Sequence, residues 1–165
     1  MTKSAHPSKA VRPSTSEEQI LAAAARLFRE RGFAATTLRD LAAEAGLLLG
    51  SVHYRFPSKD HILLALARQA VQRGTEKIER AISQGSDALD RARLGMRAYL
   101  ELLLSEEDAV YVLLHEWRSV TAEVRRELAR CQRELDRLCD QIFADAEGAG
   151  LLKPGVSPQL LRLFG

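Results

Sequence analysis

Residues 36–60 read TTLRDLAAEAGLLLGSVHYRFPSKD, and three leucines at 47–49 stand directly before Gly50, Ser51, His53, Tyr54 and Arg55. A leucine run normally belongs in a core. The polar and small residues that follow within two helical turns belong on a surface or against a ligand. Thr37 and Asp40 stand in capping-box register, and Leu38, Leu41, Ala42 and Ala45 form an apolar stripe at helical spacing. A short helix over about 37–44 is therefore expected. Gly46 is free to take positive φ in the turn after it. A third helix runs from Leu48 to about Phe56, where Pro57 ends it. Two short helices joined by a glycine turn have the spacing of a helix-turn-helix.

Such a motif needs its last helix to do two things. One side must pack on the helices behind it, and the N-terminal half must enter a major groove about 12 Å wide. Leu47, Val52 and Phe56 fall on one side and suit the inner face. Gly50 and Ser51 are small enough for the backbone to approach a duplex closely. Thr37, His53, Tyr54 and Lys59 can donate to phosphates, and the start of the fourth helix offers N–H groups to another. Leu48 and Leu49 donate nothing, but an apolar side chain can touch a thymine methyl.

Outward from this segment the chain reads as helix throughout, with no strand alternation and no repeat. Ser14 or Thr15 caps a first helix, with Glu17 or Glu18 reaching back; Ile20, Ala24, Leu27 and Phe28 recur up to Gly32, and Phe33 folds back onto their face. Pro57-Ser58-Lys59-Asp60 caps a long fourth helix to about Ser83, in which Gly74 marks a bend. A fifth helix spans about 87–104. Ser105 to Asp108 forms another capping box, opening a sixth helix to about Val120. Thr121 caps a seventh that runs to Gly148. Its apolar positions Val124, Leu128, Cys131, Leu135, Leu138 and Ile142 make a seam for one partner helix. Ser157-Pro158 starts one more. The fold class is all-α: a three-helix helix-turn-helix unit followed by an α-helical bundle.

Composition agrees. The chain is 46% hydrophobic and 28% charged, with only 5% aromatic residues, a balance of helix formers. The net charge of +2 is unevenly placed: residues 1–56 carry eight Lys/Arg against five acids, and the remainder sixteen against seventeen. Residues 1–13 hold Lys3, Lys9, Arg12 and no acid, and read as a flexible basic arm. Two cysteines, Cys131 and Cys139, make no disulfide framework and suit a reducing cytoplasm. No apolar run reaches the roughly 20 residues a membrane helix needs, so no membrane partner is expected. His115-Glu116 lacks the second histidine of a zinc-protease signature, because residue 119 is Ser. No nucleophile–base pair or phosphate loop is present either. No enzyme activity, metal or cofactor is expected.

The stretch from Ile20 to about Leu66, ILAAAARLFRERGFAA followed by TTLRDLAAEAGLLLGSVHYRFPSKD, resembles the DNA-binding domain of the TetR family of bacterial transcriptional repressors. Glycines, aromatics and caps fall in register over some forty-five residues. The resemblance implies a homodimer that reads a palindromic operator in double-stranded DNA, one third helix per half-site. It also implies a C-terminal domain with a dimer face and a pocket for a small-molecule effector. Residues 14–60 would be the reading head and 61–165 the effector-binding and dimerisation domain, its last helices incomplete. A chain so short would bind such an operator weakly unless it dimerises by another surface.

DNA contacts are expected at Thr37, Arg39, Leu48, Leu49, Gly50, Ser51, His53, Tyr54 and Lys59. The family often has serine at the position of Leu48 and tyrosine at that of His53. Leu48 has two readings, groove contact or core; Tyr54 has contact or packing; Arg39 and His53 have phosphate contact or plain exposure. The effector pocket is expected on helices five and six, at Met96, Tyr99, Leu103, Tyr111, Leu114, His115, Trp117 and Arg118. Trp117 with Arg118 suits an anionic ligand such as an acyl thioester, though apolar and aromatic residues at this spacing also serve as core. The competing function is a protein-interaction module, with the leucine-rich third helix docking protein in place of DNA.

Overall fold

The computed structural model describes residues 15–116, 120–148 and 150. Among the described residues seven helices follow one another: α1 Ser16–Arg31, α2 Leu38–Ala45, α3 Leu49–Arg55, α4 Lys59–Ile82, α5 Ala88–Leu103, α6 Asp108–His115 and α7 Ala122–Gly148. The described residues contain no strand. The N-terminal basic arm and the helix expected from Ser157 lie outside the described residues, as do Trp117 and Arg118.

The first three helices begin where local chemistry places them. Thr15 caps α1, its side chain accepting from the Glu18 N–H while the Glu18 carboxylate accepts from the Thr15 N–H at 2.7 Å. Thr37 and Asp40 make the same reciprocal pair at the start of α2. A cap of this type contributes about 1 kcal/mol. The buried face of α1 carries Ile20, Leu21, Ala24, Leu27 and Phe28. Phe33 does turn back after Gly32, its ring edge-on to Phe28 at 5.2 Å.

One apolar cluster joins this face to Leu41, Ala42, Val52, Phe56 and the first turns of α4, and continues into Val112, Val120, Val124 and Leu128. The reading head and the bundle thus share a core, with α4 running through both. A second cluster holds Ile78, Ala98, Leu102, Val110 and Ile142.

Three sequence expectations are corrected. Helix α4 runs without interruption through Gly74. That glycine marks close packing, since a β-carbon there would stand 2.6 Å from Leu102 Cδ2. Helix α6 starts at Asp108 with no side-chain cap and ends at His115, short of Val120. Arg29 explains the start: its guanidinium donates to the Glu106 carbonyl at 2.6 Å and to the Asp108 carboxylate at 2.8 Å. The acid that would complete a capping box with Ser105 is drawn across to α1, and the Ser105 hydroxyl is left buried without a partner among the described residues. Finally, α7 packs on both α4 and α5. Its buried residues therefore include Cys139, Phe143 and Ala146 beside the seam positions Val124, Leu128 and Ile142.

Candidate nucleic-acid interface

Between α2 and α3 the chain must reverse within three residues. Gly46 takes the left-handed conformation, φ 68° and ψ 31°, and its N–H reaches back to the Ala42 and Ala43 carbonyls. Leu47 N–H also donates to Ala42 at 2.9 Å. An L-residue with a side chain is strained at such a φ, so Gly46 fixes the angle at which α3 leaves.

The seven residues of α3 divide by side. Val52 and, just beyond the helix, Phe56 are buried, and Leu49 is half-buried against the same core. Gly50, His53 and Arg55 are exposed, and Ser51 is half-buried. Leu48, at the N-cap position, is 79% exposed. The three-leucine run thus splits: Leu47 and Leu49 lean on the core while Leu48 stands out from it. Arg55 was not among the sequence candidates. It stands exposed one turn after Ser51 and carries a permanent cation.

Around α3, Thr37 and Arg39 are exposed on α2. The Thr37 hydroxyl is engaged by Asp40 Oδ2 at 2.5 Å. Hydrogen bonds from the Thr37 side chain and backbone hold the Asp40 carboxyl below its usual pKa of 3.8. Ser58 caps α4, accepting from His61 N–H and standing 2.8 Å from His61 Nδ1. Lys59 turns toward the loop before α2, its ammonium donating to the carbonyls of Phe33, Ala34 and Thr36. Burial pulls the pKa of this ammonium down, while the charges of Asp60 and Glu116 push it up.

The residues expected to bind an effector do not gather at one place. Met96 lines an apolar groove of about 1030 Å³ between α5 and α7, floored by Leu100, Leu104, Phe143 and Ala146 and flanked by Arg93 and Arg97. Tyr99 and Leu114 are half-buried against the second core cluster, and Leu103 is half-buried at the end of α5. Tyr111 lies under the Arg29 guanidinium at 5.1 Å and stacks on His115 at 4.1 Å, on the side of α6 turned toward α1. Among the described residues there is no cluster of metal-binding side chains and no helix long and apolar enough to cross a membrane.

Three short helices with a left-handed glycine turn and one outward-facing helix define a helix-turn-helix DNA-binding protein. Residues 20–66 match the family model for bacterial regulatory proteins of the tetR family, and residues 85–164 match a tetracyclin repressor-like C-terminal domain. The chain belongs to the TetR family of DNA-binding, ligand-responsive transcriptional regulators. It is 24% identical over 149 residues to the fatty acid metabolism regulator protein of Bacillus subtilis, covering 89% of this chain and 77% of that one. It is 30% identical over 107 residues to the transcriptional repressor KstR2 of Rhodococcus jostii, covering 65% of this chain and about half (52%) of KstR2. Among solved structures, the superantigen PfiT superposes with a TM-score of 0.80 at 29% identity, over 93% of this chain and 81% of PfiT. AibR in complex with isovaleryl coenzyme A and operator DNA superposes with a TM-score of 0.74 at 23% identity, over 88% and 78%.

Proposed function

We propose that the protein is a homodimeric repressor, acting in the cytoplasm, that lays α3 of each subunit in the major groove of one half of a palindromic operator. The observation that carries this reading is the division of α3, with Val52 and Phe56 buried behind and Leu48, Gly50, His53, Tyr54 and Arg55 presented in front. Leu48, Gly50 and Ser51 are in place to meet base edges. His53, Tyr54, Arg55 and Arg39 surround them as phosphate donors, while the O–H and N–H of Thr37 both donate to Asp40.

The effector we propose is an acyl thioester. The groove between α5 and α7 joins an apolar floor of Met96, Leu100, Leu104 and Phe143 to the cations Arg93 and Arg97, with Asp90 and Glu101 also in its lining and Arg97 paired with Glu101 at 2.9 Å. An acyl chain fits the first and a phosphorylated carrier the second. That AibR is described with isovaleryl coenzyme A supports the choice of class. Tyr99, Leu103 and Leu114 do not line this groove, and Trp117 and Arg118 lie outside the described residues.

A salt titration of duplex binding tests the proposal. Each phosphate neutralised gives a slope of about −0.9 in log K against log salt, so binding weakens steeply if α3 docks on DNA. An acyl thioester added to the complex then lowers the affinity. Binding of α3 to protein, which responds little to salt, would support an interaction module instead.

A further inference from the structure

We infer that Leu48 is a specificity-determining residue of this chain, reading the C5-methyl group of one thymine in each half-site, with Gly50 beside it leaving room for the contact. The inference rests on the assignment of α3 as the reading helix and adds the base that is read. Leu48 is held out by its neighbours. Leu47 and Leu49, on either side, pack against the core that contains Val52 and Phe56. Leu48 stands between them with extended backbone, φ −71° and ψ 143°, and 79% of its surface is exposed. It precedes the first turn of α3, the end of a reading helix that meets base edges.

Two residues at this tip work against the stability of the protein on its own. An N-cap favours Ser, Thr, Asp or Asn, whose side chains bond to the free N–H groups of the first turn. Thr15, Thr37 and Ser58 cap α1, α2 and α4 in this way, whereas Leu48 makes no cap hydrogen bond. Gly50 lies inside α3, where glycine lowers helix stability relative to alanine. The reasons for glycine found elsewhere in the chain do not hold for it. Its φ is not positive, unlike that of Gly46. A β-carbon on it would meet nothing within 4 Å, unlike one on Gly74. The fold thus uses neither the leucine nor the missing side chain. A ligand that touches the tip uses both, as an apolar knob and as bare backbone that can come close.

The chemistry of that ligand follows from what surrounds the knob. Gly50, Ser51, His53 and Arg55 add no aliphatic side chain to it, and Tyr54 ends in a hydroxyl about one and a half turns further along. Leu48 is therefore a single point and not the edge of an apolar patch of the kind that docks protein. A major groove offers single methyl groups set among polar edges, because the thymine C5-methyl is the alkyl group displayed there. A leucine has neither donor nor acceptor, so its preference among bases can rest only on that methyl.

The test begins on the DNA and needs no variant. A duplex that the wild-type chain selects from a random pool is resynthesised with deoxyuridine for thymine at one position at a time, which removes the methyl group and keeps the base pairing. One thymine per half-site should stand out, its change weakening wild-type binding about fourfold, the effect of burying one methyl-sized group. Leu48→Ala should bind the thymine duplex more weakly and show no difference at that position. Its slope against salt should match wild type, since no phosphate contact is lost. Cytosine placed there should be bound more tightly when it carries a 5-methyl group, again by wild type only. A selected repeat in which no thymine responds to loss of its methyl overturns the inference, as does full discrimination retained by Leu48→Ala. Gly50→Ala forms a second arm. It should unfold at a urea midpoint no lower than wild type, yet bind the selected duplex more weakly and with a smaller thymine-to-uracil ratio; wild-type binding by this variant overturns the close approach. A wild-type chain that selects no duplex at all overturns the reading role of α3 itself, so the two failures are distinct.

Discussion

Val52 and Tyr54 are two residues apart on α3 and lie on opposite sides of it: Val52 has no exposed surface and Tyr54 is 89% exposed. Two helical residues differ by about 200° around the axis, so one short helix serves the core and the outside at once. The account expects the two positions to fail differently. Val52→Ala should cost about 2 kcal/mol of stability through lost burial and a residual cavity. Tyr54→Ala and Leu48→Ala should leave the unfolding midpoint within about 0.5 kcal/mol of wild type, as surface changes do, yet weaken duplex binding. Urea denaturation beside a binding titration checks this. Loss of stability in Tyr54→Ala with intact binding would reverse the assignment of the two faces.

Gly95 is the point where three helices meet. A β-carbon on it would stand 2.9 Å from Ile82 Cγ1 of α4 and 3.0 Å from Ile142 Cδ1 of α7. Gly95→Ala gains about 1 kcal/mol in helix propensity and must push two packed side chains aside, a strain of about 1–3 kcal/mol. The expected outcome is a net loss of up to about 2 kcal/mol, read from the urea midpoint. A variant more stable than wild type would mean that α4, α5 and α7 are not this closely packed.

Asp40 gives a dependence on pH. Its folded pKa is depressed, chiefly by the Thr37 hydroxyl and then by the Thr37 N–H. The stabilisation from its ionised form is therefore complete above the usual value of 3.8 and is lost as pH falls through the lower folded value. Asp40→Asn keeps an acceptor for Thr37 without the charge. Wild type should be the more stable of the two near neutrality, and the difference should shrink below pH 3.8. A difference that stays constant into strong acid would show that the ionised carboxylate contributes nothing.

Much of this was legible in the residues because the signals were local. The caps Thr15–Glu18 and Thr37–Asp40 and the turn at Gly46 each depend on a few neighbouring residues, and each forms as the spacing implies. The inner face of Val52 and Phe56 followed from helical periodicity alone. What could not be read depended on distant partners. Ser105 and Asp108 have the spacing of a cap, but Arg29, 79 residues before Asp108, claims the carboxylate. Gly74 has the composition of a bend, and only the arrival of Leu102 shows it to be a contact. Residues expected in one effector pocket, such as Met96 and Tyr111, share two neighbouring helices but face the α5/α7 groove and the α1 side respectively.

The central claim is that α3 enters the major groove in pairs, and selection of bound duplexes from a random pool tests it most directly. The account predicts enrichment of an inverted repeat whose half-sites lie about 34–36 Å apart, one helical turn or a multiple of it. It also predicts that Leu48→Ala and Tyr54→Ala weaken binding to that repeat. A pool that emerges with no common sequence, or with one that both variants bind as wild type does, would contradict it.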